Sequence, residues 1–285
     1  MQKNVETDRG SFHVRLYGDP NNPPLIMIHG WPQTSYCWHH ATPYLSDFYV
    51  LAPDFRGMGD SNRALDLELY EKDQMAQDIF SIADAMGIEQ FFLAGHDWGG
   101  AIVQEMAFLA PDRIKKLIIL NMMIINNPTG MKAASEVLRK QLYRSSWYQF
   151  FQSIREFPEA LLAGKEHVWI RFFSRGISKP IPEDAIEEYI RCYKIPHTIT
   201  TAANLYRNIS KDRARWKTYE GKQLAVPTQI IHGVLDPVII KEYLAGVEEA
   251  ISQVEITYLK GGHFIVDEQP AEVGRLITEF LGTSQ

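Results

Sequence analysis

An aspartate, Asp97, sits in the setting Gly95-His96-Asp97-Trp98-Gly99-Gly100, directly after the apolar run Phe91-Phe92-Leu93-Ala94. The run reads as a buried strand and the residues after Gly99 as a helix, so Asp97 falls on a strand-to-helix bend. This is the G-x-S-x-G pattern with Asp in place of Ser. Small residues at 95 and 99 permit the sharp turn that lifts the side chain above the sheet edge, beside a helix N-terminus. A free Asp has a pKa of about 3.9, and the helix end favours its charge, so the group needs no base to become a nucleophile. Attack on an ester or amide would give an easily reversed mixed anhydride. Attack on a saturated carbon bearing a leaving group gives an alkyl ester, which water must then cleave.

That water needs a base. His263, in Gly261-Gly262-His263-Phe264, is the candidate, and Asp236, in Gly233-Val234-Leu235-Asp236-Pro237, is its orienting acid. The order Asp97, Asp236, His263 is nucleophile, acid, histidine, with both partners just beyond apolar runs. Water attacks the carbonyl carbon of the ester, so the oxyanion forms on the enzyme's own carboxyl group. Backbone N–H groups of Trp98 and Trp31 are its expected stabilisers, each worth about 3 to 4 kcal/mol. His29 and His96 neighbour these loops and read as supports for them. His39-His40 lacks an assembled third ligand, so no metal is expected, and the chemistry asks for no cofactor.

The elements that must hold these groups follow from apolar runs at Leu25–Ile28, Tyr49–Asp54, Phe91–Ala94 and Leu117–Leu120, and from strand signals at Val226–Gly233 and Val254–Leu259. A helix is expected at Ser35 to Leu45. Another is expected at Tyr70 to Met86, where Met75, Ile79, Ile82 and Met86 recur at spacings of three and four. Alternating strands and helices imply a parallel sheet with right-handed crossovers. From about 124 to 218 the chain turns aromatic and helix-compatible, so residues 1–123 and 219–285 should form one α/β core with a helical cap, 124–218, inserted between its strands. Asn126-Asn127-Pro128-Thr129-Gly130 reads as the hinge into it, and a closing helix spans about Pro270 to Leu281.

Composition limits the alternatives. The 285 residues are 45% apolar and 22% charged, with nineteen Gly and fifteen Pro, which excludes disorder and collagen-like sequence. A net charge of -6 disfavours nucleic acid as a partner. Two distant cysteines, Cys37 and Cys192, build no disulfide framework, and no segment has the roughly 18 apolar residues of a membrane span. A soluble cytoplasmic protein, monomer or homodimer, is the expectation.

The motifs resemble those of the α/β-hydrolase superfamily, and among them the epoxide hydrolase and haloalkane dehalogenase group with an aspartate nucleophile. His29-Gly30-Trp31-Pro32 is similar to the H-G-x-P oxyanion loop of that group, whose peptide bond before proline is usually cis. Asp54-Phe55-Arg56-Gly57-Met58-Gly59-Asp60-Ser61 resembles its D-x-R-G-x-G-x-S turn, and His96-Asp97-Trp98-Gly99-Gly100 the nucleophile block of epoxide hydrolases. The resemblance implies an α/β-hydrolase fold with a helical cap.

Leaving-group chemistry separates the branches. An epoxide opens to an alkoxide and needs a proton donor, whereas a halide leaves as an anion. Ser146-Trp147-Tyr148-Gln149 and Asn204-Leu205-Tyr206-Arg207 look like the lid segments that supply paired ring-opening tyrosines, which implies that role for Tyr148 and Tyr206, with Tyr143 as a fallback for the first. The expected substrate is a small apolar epoxide, bound among Trp31, Trp98, Tyr148 and Tyr206 and opened with water to a vicinal diol. The runner-up is a haloalkane or haloacetate dehalogenase using the same nucleophile. Trp98 suits either branch, but Trp31 stands where haloalkane dehalogenases usually have Asn or Glu, and the Asp-Arg-x-x-Arg clamp of fluoroacetate dehalogenases is missing. A non-catalytic hydrolase-like binding protein is the third alternative.

Overall fold

The computed structural model describes residues 1–282. Eight strands make one sheet in the order β1-β2-β4-β3-β5-β6-β7-β8. They are β1 (Gln2–Thr7), β2 (Gly10–Tyr17), β3 (Pro24–Ile28), β4 (Tyr49–Pro53), β5 (Phe91–His96), β6 (Ile114–Leu120), β7 (Thr228–Gly233) and β8 (Val254–Leu259). The β1–β2 and β2–β4 pairs are antiparallel, and every pair from β4 across to β8 is parallel. The central strands are buried on both faces, which is why they read as continuous apolar runs. β1 lacks such a run because it is an edge strand with four of its six residues exposed, and β2 because His13 and Arg15 sit among its buried positions.

Helix α1 (Lys72–Ala85) buries Met75, Ile79 and Ile82, as its spacing predicts. α2 (Trp98–Leu109) follows β5 and is buried along almost all its length. The helix expected at Ser35 to Leu45 is instead two short 3-10 turns, Ser35–Trp38 and Thr42–Tyr44. Pro43 lacks the N–H that would continue a helical ladder.

Between β6 and β7 the chain is helical: α3 (Pro128–Lys140), α4 (Trp147–Ser153), α5 (Phe157–Leu162), α6 (Glu166–Phe173), α7 (Glu183–Tyr193), α8 (Thr198–Arg207) and α9 (Ile209–Trp216). The segment 126–130, where the chain leaves the sheet-bearing part, is held by side-chain hydrogen bonds. Asn126 Nδ2 donates to the carbonyls of Lys222 and Ala250, and Asn127 Oδ1 caps α3 by accepting from the Gly130 N–H. Three further helices, α10 (Val247–Ala250), α11 (Ile265–Glu268) and α12 (Pro270–Leu281), complete the core.

Two buried charge clusters fasten the helical excursion to the sheet-bearing part. Lys72 at the start of α1 donates from Nζ to Asp212 Oδ2 of α9 at 2.9 Å and to the Leu205 carbonyl of α8 at 3.3 Å. Glu105 of α2 accepts from Arg215 Nε, the Trp216 indole N–H and the Tyr219 hydroxyl. Each buried charge is paired and hydrogen-bonded, as burial requires.

Candidate active site

Asp97 links β5 to α2 with φ 50 and ψ -124, a conformation few non-glycine residues adopt. The bend leaves no room around it. A Cβ on Gly99 would strike the carbonyl oxygens of Ile28 and His29, and one on Gly30 would strike the Asp97 side chain. The glycines at 30 and 99 are therefore what lets the β3 loop, α2 and the carboxylate crowd together.

The carboxylate is buried and both its oxygens are engaged. Oδ1 accepts the Trp31 N–H at 2.8 Å, from the loop after β3 in which the Trp31–Pro32 peptide is cis. Oδ2 lies 3.2 Å from His263 Nε2. On the other side of the ring Nδ1 donates to Asp236 Oδ2 at 2.7 Å, while Asp236 Oδ1 accepts the N–H groups of Val238 and Ile239. The three residues predicted from sequence thus meet, each at the C-terminal end of a parallel strand or just beyond it.

Charge follows geometry. Burial works against the Asp97 carboxylate, but His263 and, further down, the Trp98 N–H outweigh it and hold its pKa below the usual value. Burial likewise works against a charged His263 ring, and the two carboxylates overcome it, raising its pKa to about 10. His96 goes the other way, down to about 4, through burial and the neighbouring His263 charge. It is a neutral ring whose Nε2–H donates to the His263 carbonyl at 2.7 Å. His29 is also pushed down by burial; it stacks on Phe55 and accepts the Phe55 N–H. Both therefore sit as supports of the loops on either side of Asp97.

Tyr148 of α4 and Tyr206 of α8 line the same chamber as Asp97 and Trp98, with ring centroids 5.7 Å apart. Burial, with the Asp97 charge adding to it, raises both phenol pKa values well above the ordinary tyrosine range, so both are protonated. Trp31 lies behind these rings, stacked on Tyr148 at 5.1 Å and edge-on to Tyr206 at 5.5 Å, and lines a neighbouring cavity of about 280 Å³ with Tyr148 and His263 rather than this chamber; Trp98 packs edge-on against Tyr206 at 5.4 Å. Tyr143 also borders the chamber, but its hydroxyl is 3.1 Å from Ser135 Oγ.

Some supports carry no recognisable motif. Asn121, one residue past β6, donates to the carbonyls of Gly262 and His263 and accepts the Gly233 N–H, joining three strand ends beneath the histidine. Glu268 accepts from the Gly262 N–H and from Ser178, holding the same loop from the other side. Tyr193 accepts the Trp31 indole N–H at 3.2 Å. Asn121 alone left a sequence signal, as a polar residue immediately after an apolar run.

Two groups outside the site cluster possible metal ligands. In His13, Asp54 and Asp60, the Asp54 oxygens are already taken by the Ser35 and Asp60 N–H groups and by His13. In Asp60, Glu188 and Cys192, Arg191 neutralises both carboxylates. His40 pairs with Asp184 instead. Among the described residues no helix is long and apolar enough to cross a membrane.

Residues 23–270 match the α/β hydrolase fold family. The chain is 27% identical to epoxide hydrolase A of Mycobacterium tuberculosis, covering 97% of this chain and 96% of that one. It is 30% identical to mouse epoxide hydrolase 4, covering 95% and 76% respectively. The crystal structure of epoxide hydrolase A from Mycobacterium thermoresistibile superposes with a TM-score of 0.83 over 99% of this chain and 98% of that one, at 24% identity, a likeness of fold. With the match to the family model spanning most of its length and the strand-end site in place, the chain belongs to the α/β hydrolase fold family and is a hydrolase.

Proposed function

We propose that the protein is an epoxide hydrolase that works through a covalent ester on Asp97, with residues 124–218 as the cap that closes the site. The observation that carries this reading is one chamber lined by an ionised carboxylate and two protonated phenols. The relatives named as epoxide hydrolases support it.

In this account the epoxide oxygen is held by the Tyr148 and Tyr206 hydroxyls. Asp97 Oδ2 attacks a ring carbon, the carbon–oxygen bond breaks, and a tyrosine proton passes to the nascent alkoxide. The product is a hydroxyalkyl ester of Asp97. Oδ1 remains on the Trp31 N–H, so that donor is already on the oxygen that becomes negative when water adds to the ester carbon. The same addition is assisted by the Trp98 N–H. His263, held by Asp236, takes one proton of the attacking water while the hydroxide adds to the ester carbon; collapse breaks the Cγ–Oδ2 bond, and the protons left on His263 and on the new carboxyl group pass to the expelled oxygen and to the tyrosinate, which releases the vicinal diol and restores carboxylate, imidazole and phenol.

The test is His263→Gln exposed to styrene oxide and epoxyalkanes. The variant is expected to accumulate a mass increment equal to the substrate, mapping to the peptide that contains Asp97. An unmodified variant, alongside a wild type that turns the same epoxide over, contradicts the ester route.

A further inference from the structure

Two cavities meet the catalytic residues from different sides. Asp97 lines the inner chamber of about 90 Å³, with Trp98 and Tyr206, and does not line the cavity of about 280 Å³ beyond Tyr148. His263 has the reverse placement: it lines the larger cavity, with Trp31 and Phe264, and not the inner chamber. Tyr148 and Val238 alone line both, so these two side chains form the partition. Phe172 and Ile177, 44% and 53% exposed, mark the end of the larger cavity that opens to solvent.

The two compartments suit different reactants. Asp97, Tyr148 and Tyr206, the groups an epoxide has to touch, all line the inner chamber, and Asp97 and Tyr206 are missing from the wall of the other. A water occupies about 30 Å³ in the liquid, so the inner chamber has little space to share. Once the ester has formed, its alkyl group fills that chamber and blocks the way to Asp97 from there. The attacking water must instead come within reach of His263, whose Nε2 faces Oδ2 of the carboxylate at 3.2 Å.

The larger cavity has the groups to hold such a water. Glu268 Oε1 and Ser145 Oγ are buried in its wall and have no hydrogen-bond partner among the described residues. Buried polar atoms beside a cavity with room for solvent are ordinarily satisfied by water. Glu268 is well fixed for this task, because its Oε2 accepts the N–H of Gly262, the residue next to His263. The rest of the wall is largely aromatic and aliphatic and offers water no competing partner.

We infer that the larger cavity is the water compartment of the reaction, with Ile177 at its mouth and Tyr148 and Val238 keeping incoming water apart from the alkyl group of the ester. Epoxide and water therefore reach opposite sides of one carboxyl group. The inference rests on the ester reading above and adds to it the side from which water arrives.

The test is a quenched-flow single turnover of styrene oxide, followed by intact mass, with wild type, Ile177→Trp, Ser145→Leu and Met123→Trp. Ile177→Trp narrows the mouth of the larger cavity; it is expected to slow loss of the ester about tenfold, so that ester accumulates, while ester formation stays within about twofold of wild type. Retained ester formation also shows that the variant is folded. Ser145→Leu, which narrows the same cavity and removes one of its unpartnered oxygens, is expected to act in the same direction. Met123→Trp narrows the inner chamber and is expected to slow ester formation without accumulation of ester. Ester loss slowed no more than ester formation in both Ile177→Trp and Ser145→Leu overturns the inference. His263→Gln in the same assay separates the two claims. Ester in His263→Gln but none accumulating in the two cavity variants removes the water compartment alone, whereas no ester in any of them removes the ester route and this inference with it.

Discussion

His263 and Asp97 face each other directly, with Nε2 of the ring 3.2 Å from Oδ2 of the carboxylate. That oxygen is the one free of the Trp31 N–H, so in the proposed mechanism nucleophile and base meet at the atom whose alkylation changes both.

The pairing sets a pH dependence. Between Asp236 and Asp97 the ring holds its proton up to about pH 10 in the resting enzyme. In the proposed mechanism esterification removes the Asp97 charge and lowers the ring's affinity for that proton, making the neutral base available when water must be activated. Asp97→Asn is therefore expected to lower the His263 midpoint, and Asp236→Asn to lower it more, since Asp236 supplies the larger share of the upward shift. Titration of the imidazole by NMR measures both; an unchanged midpoint or the opposite order contradicts the assignment. For stability the sign is that of a raised folded-state pKa. The stabilisation is complete below the unfolded histidine value of about 6.5 and is lost as pH rises through about 10. The depressed Asp97 contributes above its unfolded value of about 3.9 and loses that contribution on acidification.

In the proposed mechanism Tyr148 and Tyr206 bear on the leaving group alone. Replacing both with Phe is expected to reduce epoxide turnover by about a hundredfold or more, the usual scale for a positioned acid. Displacement of bromide from a matched bromoalkane, which needs no proton, is expected to fall far less if it occurs at all. Parallel steady-state assays distinguish the cases, and equal losses on both substrates remove the tyrosines as acids.

Lys72 tests how the two parts of the chain are held together. Its ammonium is fully buried, bonded to Asp212 and to two carbonyls, and lies 4.3 Å from the centre of the Trp98 ring. Asp212→Ala leaves that charge unpaired and is expected to cost about 3 to 5 kcal/mol in denaturant unfolding. Substituting the exposed Lys211 partner, Glu71→Ala, is expected to cost less than about 1 kcal/mol. Similar costs for the two changes contradict the role given to burial.

Much of the site was legible because its chemistry sits at strand ends. Apolar runs place β3, β5 and β6, and shorter strand signals place β7 and β8; Asp97, Asp236 and His263 follow β5, β7 and β8. β1 and β2 were not legible: β1 is an edge strand mostly in solvent, and in β2 the buried polar residues His13 and Arg15 interrupt the apolar positions. Ser35 to Leu45 reads as a helix by length alone, and Pro43 decides otherwise. Asn126-Asn127 reads as a hinge from composition, while in the fold both side-chain amides bond backbone groups. Asn121, Glu268 and Tyr193 act through partners distant in sequence, such as Gly262 and Trp31, and local patterning carries no trace of those contacts.

The most direct measurement of the central claim is a single turnover with excess enzyme in water enriched in oxygen-18, followed by mass analysis of both diol and protein. The account requires the first diol to carry unlabelled oxygen taken from Asp97, and the Asp97 peptide to gain the label. Label in the first diol, with none in the protein, would show that water opens the epoxide directly and that no ester forms.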